Sequence, residues 1–101
     1  MIKITRVNSI NQPYIFCDIC GEKITVAGMG TALNEYDEKG NSVVEVMYAH
    51  KGNCFKEAEK RLTAKYGSIP QWHELDKFLT WLLQNSGISP ERLRELAQDD
   101  M

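Results

Sequence analysis

Two short pairs of metal-binding side chains constrain this chain more than any other feature. The first pair is Cys17 and Cys20, followed directly by a glycine, and the second pair is His50 and Cys54. A C-x2-C turn lets two thiolates face one ion, and the glycine supplies the left-handed backbone that such a turn needs. Three thiolates and one imidazole fill the tetrahedral shell of zinc and leave no position open. The sequence therefore predicts one structural zinc ion bound by these four residues.

The same cysteines allow two other interpretations. A redox pair of the thioredoxin kind would open a helix, but Gly21 and a strand-like segment follow Cys20, which disfavours it. In the second interpretation, His73 replaces His50 as the fourth ligand. His50 forms a short pair with Cys54, whereas His73 lies in a predicted helix well beyond that pair, so the ligand spacing favours His50.

Size and composition place the chain among small globular proteins. It has 101 residues, 43% of them apolar and 26% charged, which suits one domain. Its three cysteines are an odd number, so a secreted disulfide framework would leave one thiol over. No apolar run reaches the length of a signal peptide or a membrane span. We expect a cytoplasmic protein without membrane association, in a compartment that keeps thiols reduced.

Strand-like segments come first along the chain. Alternating apolar and polar residues predict a strand over Ile2–Val7, and residues 8–13 are expected to form a loop. Two further β-prone segments, 31–36 and 43–48, flank the turn-rich segment 37–41. This arrangement predicts a β-hairpin.

Helix-like segments follow the strands. Apolar side chains recur every three or four residues from 55 to 66, which predicts a helix. Asn53 suits its N-cap and Gly67 its C-cap. A second helix is expected to begin at Ser68, where the sequence has capping-box spacing, and to end at Gly87.

The order of these segments predicts the fold class and the domain organisation. A third, short helix is expected to open at Pro90. Strands followed by helices indicate an α+β fold. We expect a zinc-binding β-hairpin and helix domain over residues 1–67. Residues 68–101 are expected to form a helical extension that packs on this domain or on a partner.

The predicted order of zinc knuckle, β-hairpin and helix resembles a treble-clef zinc finger. The chain is most similar to the LIM and PARP-type fingers, which pair C-x2-C with a distant H-x2-C. Besides the four ligands, Tyr48 before the histidine and Phe55 after the last cysteine match, so the resemblance covers about residues 17–62. One departure is that three residues separate His50 from Cys54, where those families have two. The resemblance implies the fold and the ligand roles. The resemblance does not indicate a single function, because PARP-type fingers bind DNA ends and LIM fingers bind proteins.

The C-terminal segment has two interpretations. One interpretation is a helix-turn-helix formed by residues 72–85, the turn 86–89 and residues 90–98. Its last helix would lie in the major groove of DNA. That helix carries acids as well as bases, and Asp99 and Asp100 would face phosphates unfavourably. The charge pattern therefore favours a helical pair that packs its leucines against the finger or a second subunit.

These observations define three classes of function. A closed zinc site, a net charge of −2 and apolar C-terminal helices favour a protein-interaction or adaptor module, or self-association through those helices. The alternative is a nucleic-acid-binding regulator that uses residues 51–65, which carry five bases against two acids, and the third helix. An enzyme is disfavoured, because catalytic zinc keeps one position for water, and we expect no catalytic residues. Trp72 and Trp81 are expected in a core or dimer surface rather than in a ligand cage.

Overall fold

A computed structural model describes residues 1–36 and 42–98 of the chain, with side chains for all of these except residues 36 and 42–45. The described residues form an α+β fold with two small sheets and three α-helices, which confirms the predicted class. The strands are β1 (Ile2–Val7), β2 (Ile10–Ile15), β3 (Gly30–Tyr36), β4 (Ser42–His50) and β5 (Gln71–Glu74). The helices are α1 (Asn53–Tyr66), α2 (Leu75–Asn85) and α3 (Pro90–Gln98), and a 3-10 turn covers Ala27–Met29.

The first sheet is an antiparallel hairpin of β1 and β2. The prediction of a strand over Ile2–Val7 is confirmed, but the loop predicted over 8–13 is wrong, because most of it belongs to β2. The turn consists of Asn8 and Ser9, whose φ angles are +52° and +65°. Two consecutive left-handed residues make the type I′ turn that matches strand twist, so the chain reverses within two residues.

Pro13 explains why β2 is hard to recognise in the sequence. Proline cannot donate a backbone hydrogen bond, so it argues against a strand interior. In the hairpin register Pro13 lies opposite Ile4, whereas Val7 pairs with Ile10 around the two-residue turn. Hydrogen-bonded pairs alternate with non-bonded pairs in an antiparallel ladder. Counting from the turn, Pro13 occupies a non-bonded position, where its missing N–H costs nothing.

The second sheet has the strand order β4-β3-β5. Strands β3 and β4 pair antiparallel, with Gly30 opposite His50, which confirms the predicted hairpin. The turn predicted over 37–41 lies outside the described residues. Strand β5 pairs with the other edge of β3, so β3 is the central strand of the sheet.

The beginning of the second helix differs from the prediction. Residues Gln71–Glu74 form β5, and α2 begins at Leu75 rather than at Ser68. Trp72 and Leu75 are three residues apart, which mimics a helical period. The backbone of β5 instead bonds to β3, so long-range pairing overrides the local pattern. The predicted division at residues 67 and 68 stays a prediction, although β5 joins the sheet of the N-terminal part.

A glycine lies at each end of α1. Gly67 follows the helix with a φ of +82° and donates its N–H to the carbonyl of Thr63, as the predicted C-cap requires. At the N-terminus, Gly52 is the cap, with a φ of +92°, and the prediction of Asn53 is wrong. Asn53 is the first residue of the helix itself.

The two faces of β3 are covered by different helices. Side chains alternate between the faces of a strand, so Leu33 shares a face with Trp72 of β5, and Ala32 shares the other face with His73. Trp72 contacts α1 and His73 contacts α2. The core therefore lies on both sides of this sheet. Its buried members are Cys17, Ile24, Ala32, Leu33, Ala49, Ala58, Leu62 and Leu75.

The connection between α2 and α3 is defined by its own hydrogen bonds. Gly87, with a φ of +79°, follows α2, and the N–H of Ile88 donates to the carbonyl of Leu83 at 3.0 Å. This is a Schellman closure. Ser89 then accepts the N–H of Arg92 at 3.1 Å and so caps α3. The predicted third helix is confirmed, and every described side chain on it is exposed.

Within the described part of the chain, no helix combines the length and apolar character needed to cross a bilayer.

Candidate metal centre

The first ligand pair lies in a tight turn between β2 and the 3-10 turn. The N–H of Cys17 donates to the carbonyl of Glu22 at 2.8 Å, and the N–H of Gly21 donates to the carbonyl of Cys17 at 3.0 Å. Gly21 has a φ of +79°, the left-handed conformation expected after the second cysteine. Cys17 is fully buried in the core, whereas Cys20 is exposed. The turn thus presents one inner and one outer thiol.

The second ligand pair comes from a strand end and a helix start. His50 is the last residue of β4, and Cys54 is the second residue of α1. The left-handed backbone of Gly52 turns the chain sharply between them. Because the pairs come from separate parts of the fold, any ion bound between them would join the turn, the sheet and the helix.

The four side chains meet at one point. Their candidate ligand atoms all lie within 4.8 Å of one another, and the Cys20 Sγ is 3.4 Å from the His50 Nδ1. Bond lengths of about 2.3 Å to sulfur and about 2.0 Å to nitrogen give tetrahedral edges of about 3.8 Å between two sulfurs and about 3.5 Å between sulfur and nitrogen. The cluster is therefore close to the size that a tetrahedral ion requires. These four residues could hold one metal ion.

The imidazole of His50 is oriented by the backbone of Lys23. Its Nε2 lies 3.1 Å from the Lys23 carbonyl oxygen, which can only accept a hydrogen bond. The proton of the neutral ring must therefore be on Nε2, and the lone pair on Nδ1 faces the thiols. A backbone carbonyl that fixes the tautomer of a histidine is a common partner of metal-binding imidazoles.

The electrostatics of the thiols also favour a cation. Burial raises the pKa of Cys17, but backbone N–H groups of Cys20, His50 and Ile19 outweigh it and lower this pKa to about 6. Burial, reinforced by the neighbouring sulfurs of Cys17 and Cys20, raises the pKa of Cys54 to about 11. Without a cation, a negative charge on Cys54 is therefore disfavoured here. A divalent ion would displace the Cys54 proton and leave a site charge of about −1 with three thiolates.

The remaining residues considered in the sequence lie elsewhere. His73 is on β5, and its ring is 5.0 Å from that of Trp81. Trp72 faces the opposite side of the sheet and contacts Phe55. The two tryptophans therefore do not form one surface.

Two supporting groups were missed by the sequence interpretation. One is the Lys23 carbonyl, for which no side-chain signal exists. The other is Asp18, which accepts the N–H of Tyr48 at 2.7 Å through its Oδ2. A carboxylate inside the C-x2-C turn was a visible signal for such a role.

Comparison of this chain with family models, with curated proteins and with solved structures finds no match. The candidate site therefore stands on its own geometry.

Proposed function

We propose that Cys17, Cys20, His50 and Cys54 bind a structural zinc ion, and that the chain is a protein-interaction module built on it. The observation that carries the zinc proposal is the closed donor set, three sulfurs and one nitrogen within 4.8 Å of one another. Zinc favours this donor set and this geometry. Since all four positions come from the protein, the ion would hold the fold together rather than activate a substrate.

We also propose that the arrangement is a treble clef. Support comes from the order of its parts: a cysteine turn, the β3–β4 hairpin, and α1 with the last ligand in its first turn. The additional residue between His50 and Cys54 is accommodated by Gly52, whose backbone is left-handed. The likeness to LIM and PARP-type fingers remains a proposal about local architecture.

The proposal of a protein partner rests on the C-terminal helices. Large apolar side chains of α2 and α3 remain exposed. They are Trp81 at 41%, Leu82 at 45%, Leu93 at 44% and Leu96 at 37% exposure. An isolated helix of nine residues is marginal in water, so α3 would gain stability from an apolar partner surface.

Charge pairing makes a nucleic-acid partner the weaker alternative. In the segment 51–65, Lys51 pairs with Glu74 and Arg61 pairs with Glu57. On α3, Arg92 pairs with Glu95. These acids would lie close to any phosphate that the paired bases bind, and their negative charges would repel it.

A paired assay separates the two partners. Tagged protein is used to capture proteins from extract, and its binding to duplex DNA and to RNA is measured from about 50 to 200 mM salt. We expect proteins retained by the wild type to be lost with Leu82→Glu combined with Leu96→Glu. Lys60→Glu, on the exposed side of α1, should keep them. Nucleic-acid binding that weakens steeply with salt and is lost with Lys60→Glu would overturn the proposal.

A further inference from the structure

A cavity of about 230 Å³ opens beside the first turn of α1. It is lined by Thr31, Lys51, Gly52, Phe55, Trp72 and Glu74. None of these residues belongs to the candidate metal cluster, but Gly52 and Phe55 flank Asn53 and Cys54 in the chain. A metal bound by Cys54 would therefore fix the helical wall of this cavity.

The sheet places the opposite wall. In the antiparallel register Thr31 lies opposite Glu74, and Leu33 lies opposite Trp72. Trp72 and Glu74 are two residues apart on β5, so their side chains share the face covered by α1. The cavity is thus formed by three elements that meet at one corner of the sheet.

Two aromatic rings form the apolar part of the cavity. The ring centroids of Phe55 and Trp72 are 5.3 Å apart, and their planes are inclined by 70°. Trp72 is nevertheless 48% exposed, so much of its ring remains accessible. Aromatic faces attract cations through the negative potential above the ring, and tryptophan does so most strongly.

The polar groups of the cavity are mainly acceptors. The Thr31 hydroxyl donates to the Ala49 carbonyl at 2.9 Å, so its lone pairs are what it offers to a ligand. The Glu74 carboxylate already binds an ammonium group, that of Lys51, at 2.8 Å. This pair shows that the carboxylate is placed where an ammonium group fits. It also neutralises the one cation that lines the cavity.

We propose that this cavity binds the ammonium group of a lysine side chain from a partner protein, which displaces Lys51 from Glu74. The alkyl chain packs against the exposed surfaces of the Phe55 and Trp72 rings, and the ammonium group reaches Glu74. Lys51 is then an internal competitor, which returns to Glu74 when the partner leaves. This inference rests on the proposed function as a protein-interaction module and names the chemistry that one of its surfaces recognises.

The test is an NMR titration of the purified protein with Nα-acetyl-lysine methylamide, with the metal content measured on the same sample. We expect the indole N–H signal of Trp72 to shift. The indole of Trp81 lies on the other face of the sheet and serves as an internal control that should not move. Tetramethylammonium chloride should shift the same signal, and sodium acetate should not.

Variants separate the contributions to binding. Glu74→Gln should weaken binding about three- to fivefold, as expected for an exposed ion pair, and Trp72→Leu roughly fivefold, as expected for a cation–π contact. Lys51→Met should tighten binding, because it removes the competitor. Lys60→Met, which removes an exposed lysine of α1 outside the cavity, should change nothing.

Three outcomes would overturn the inference. They are binding of acetate that requires Lys51, no shift of the Trp72 signal with either ammonium compound, and lysine binding unaffected by Glu74→Gln. Because Glu74 is exposed, its substitution leaves the core intact and the test remains decisive even if Trp72→Leu unfolds. Absence of bound metal in the same sample would count against the proposed zinc module instead, so the two failures are distinguishable.

Discussion

Asp18 and Tyr48 exchange two hydrogen bonds, each 2.7 Å long. The N–H of Asp18 donates to the carbonyl of Tyr48, and the N–H of Tyr48 donates to the Oδ2 of Asp18. Asp18 follows the candidate ligand Cys17, and Tyr48 lies two residues before the candidate ligand His50. This exchange therefore links the turn that carries Cys17 and Cys20 directly to the strand that ends at His50.

Asp18→Ala should destabilise the metal-loaded protein by about 1–3 kcal/mol, because it leaves the Tyr48 N–H without its charged acceptor. Asp18→Asn keeps an acceptor oxygen and should cost less. The Asp18 Oδ1 also lies 3.1 Å from the α-amino group of Met1, but that pair is exposed and contributes little. Chemical denaturation measures the loss. Glu22→Ala, an exposed acid of the same turn, is the control, and an equal loss in both variants would contradict the assigned role.

The purified protein should contain one zinc ion per chain, and cobalt should replace it with the absorption of a three-sulfur, one-nitrogen site. Structural zinc contributes on the order of 10 kcal/mol in small fingers. Cys20→Ser should therefore unfold the region around α1, although Cys20 is exposed and contributes little to the core. Circular dichroism with and without added zinc measures this. A native spectrum for Cys20→Ser at limiting zinc would contradict a structural role.

His50→Ala should lower the zinc affinity by more than the roughly 10–100-fold typical of lost supporting contacts, because it removes a ligand. His73→Ala should leave the affinity unchanged and cost about 1 kcal/mol through its lost contact with Trp81. Imidazole nitrogen shifts in the zinc-loaded protein provide the direct measurement. They should show the His50 Nδ1 bound to metal and its Nε2 protonated. Metal-bound shifts for His73 instead would refute the assigned geometry.

Gly30→Ala should destabilise the fold by about 1–3 kcal/mol through overpacking. An added Cβ would lie 2.8 Å from side-chain carbons of both Ile24 and Leu75, two members of the core. Gly28→Ala is the matched control, since the nearest atom to its added Cβ is the Asp76 carboxylate at 3.8 Å. Thermal unfolding compares the two. Equal midpoints would show that the core is looser than this packing indicates.

Lysine binding in the cavity should be independent of pH between about 6 and 8. The hydrogen bond from Lys51, aided by its charge, lowers the pKa of Glu74 below its ordinary value of 4.5. Because its pKa is lowered, Glu74 stays charged at every pH above its ordinary pKa. The binding that this charge supports is lost only as the pH falls through the lowered pKa. The NMR titration repeated at three pH values measures this. A decline between pH 7 and 6 would indicate that a histidine, and not Glu74, governs binding.

The cluster of Cys and His side chains was largely predictable from the sequence, because residues that could hold a metal ion are identified by chemistry and short spacing. Cys17 and Cys20, together with Gly21, define the turn locally, and the structure brings them to His50 and Cys54. The β3–β4 hairpin was predictable for a similar reason, since alternation and a turn-rich segment are local signals.

The position of β5 was not predictable in the same way. Gln71–Glu74 is only four residues long and is held by pairing with a strand about forty residues earlier in the chain, as in the pairing of Thr31 with Glu74. The local sequence of β5 does not indicate which strand it will pair with. The cavity depends on this placement of Trp72, so it could not be inferred either. The role of the Lys23 carbonyl could not be predicted for another reason. Every residue has a backbone carbonyl, so the sequence does not distinguish this one.

The corner between α2 and α3 has an energetic consequence for binding. Its closure by Gly87 and Ile88, and the cap that Ser89 provides, use hydrogen bonds within the corner itself. The direction of α3 is therefore set before anything covers its apolar side chains. A partner that docks on Leu93 and Leu96 would not have to fix the orientation of α3, so less of its binding free energy would be lost to conformational entropy. Replacing Gly87 with a β-branched residue would restore that entropic cost without altering any side chain that the partner touches.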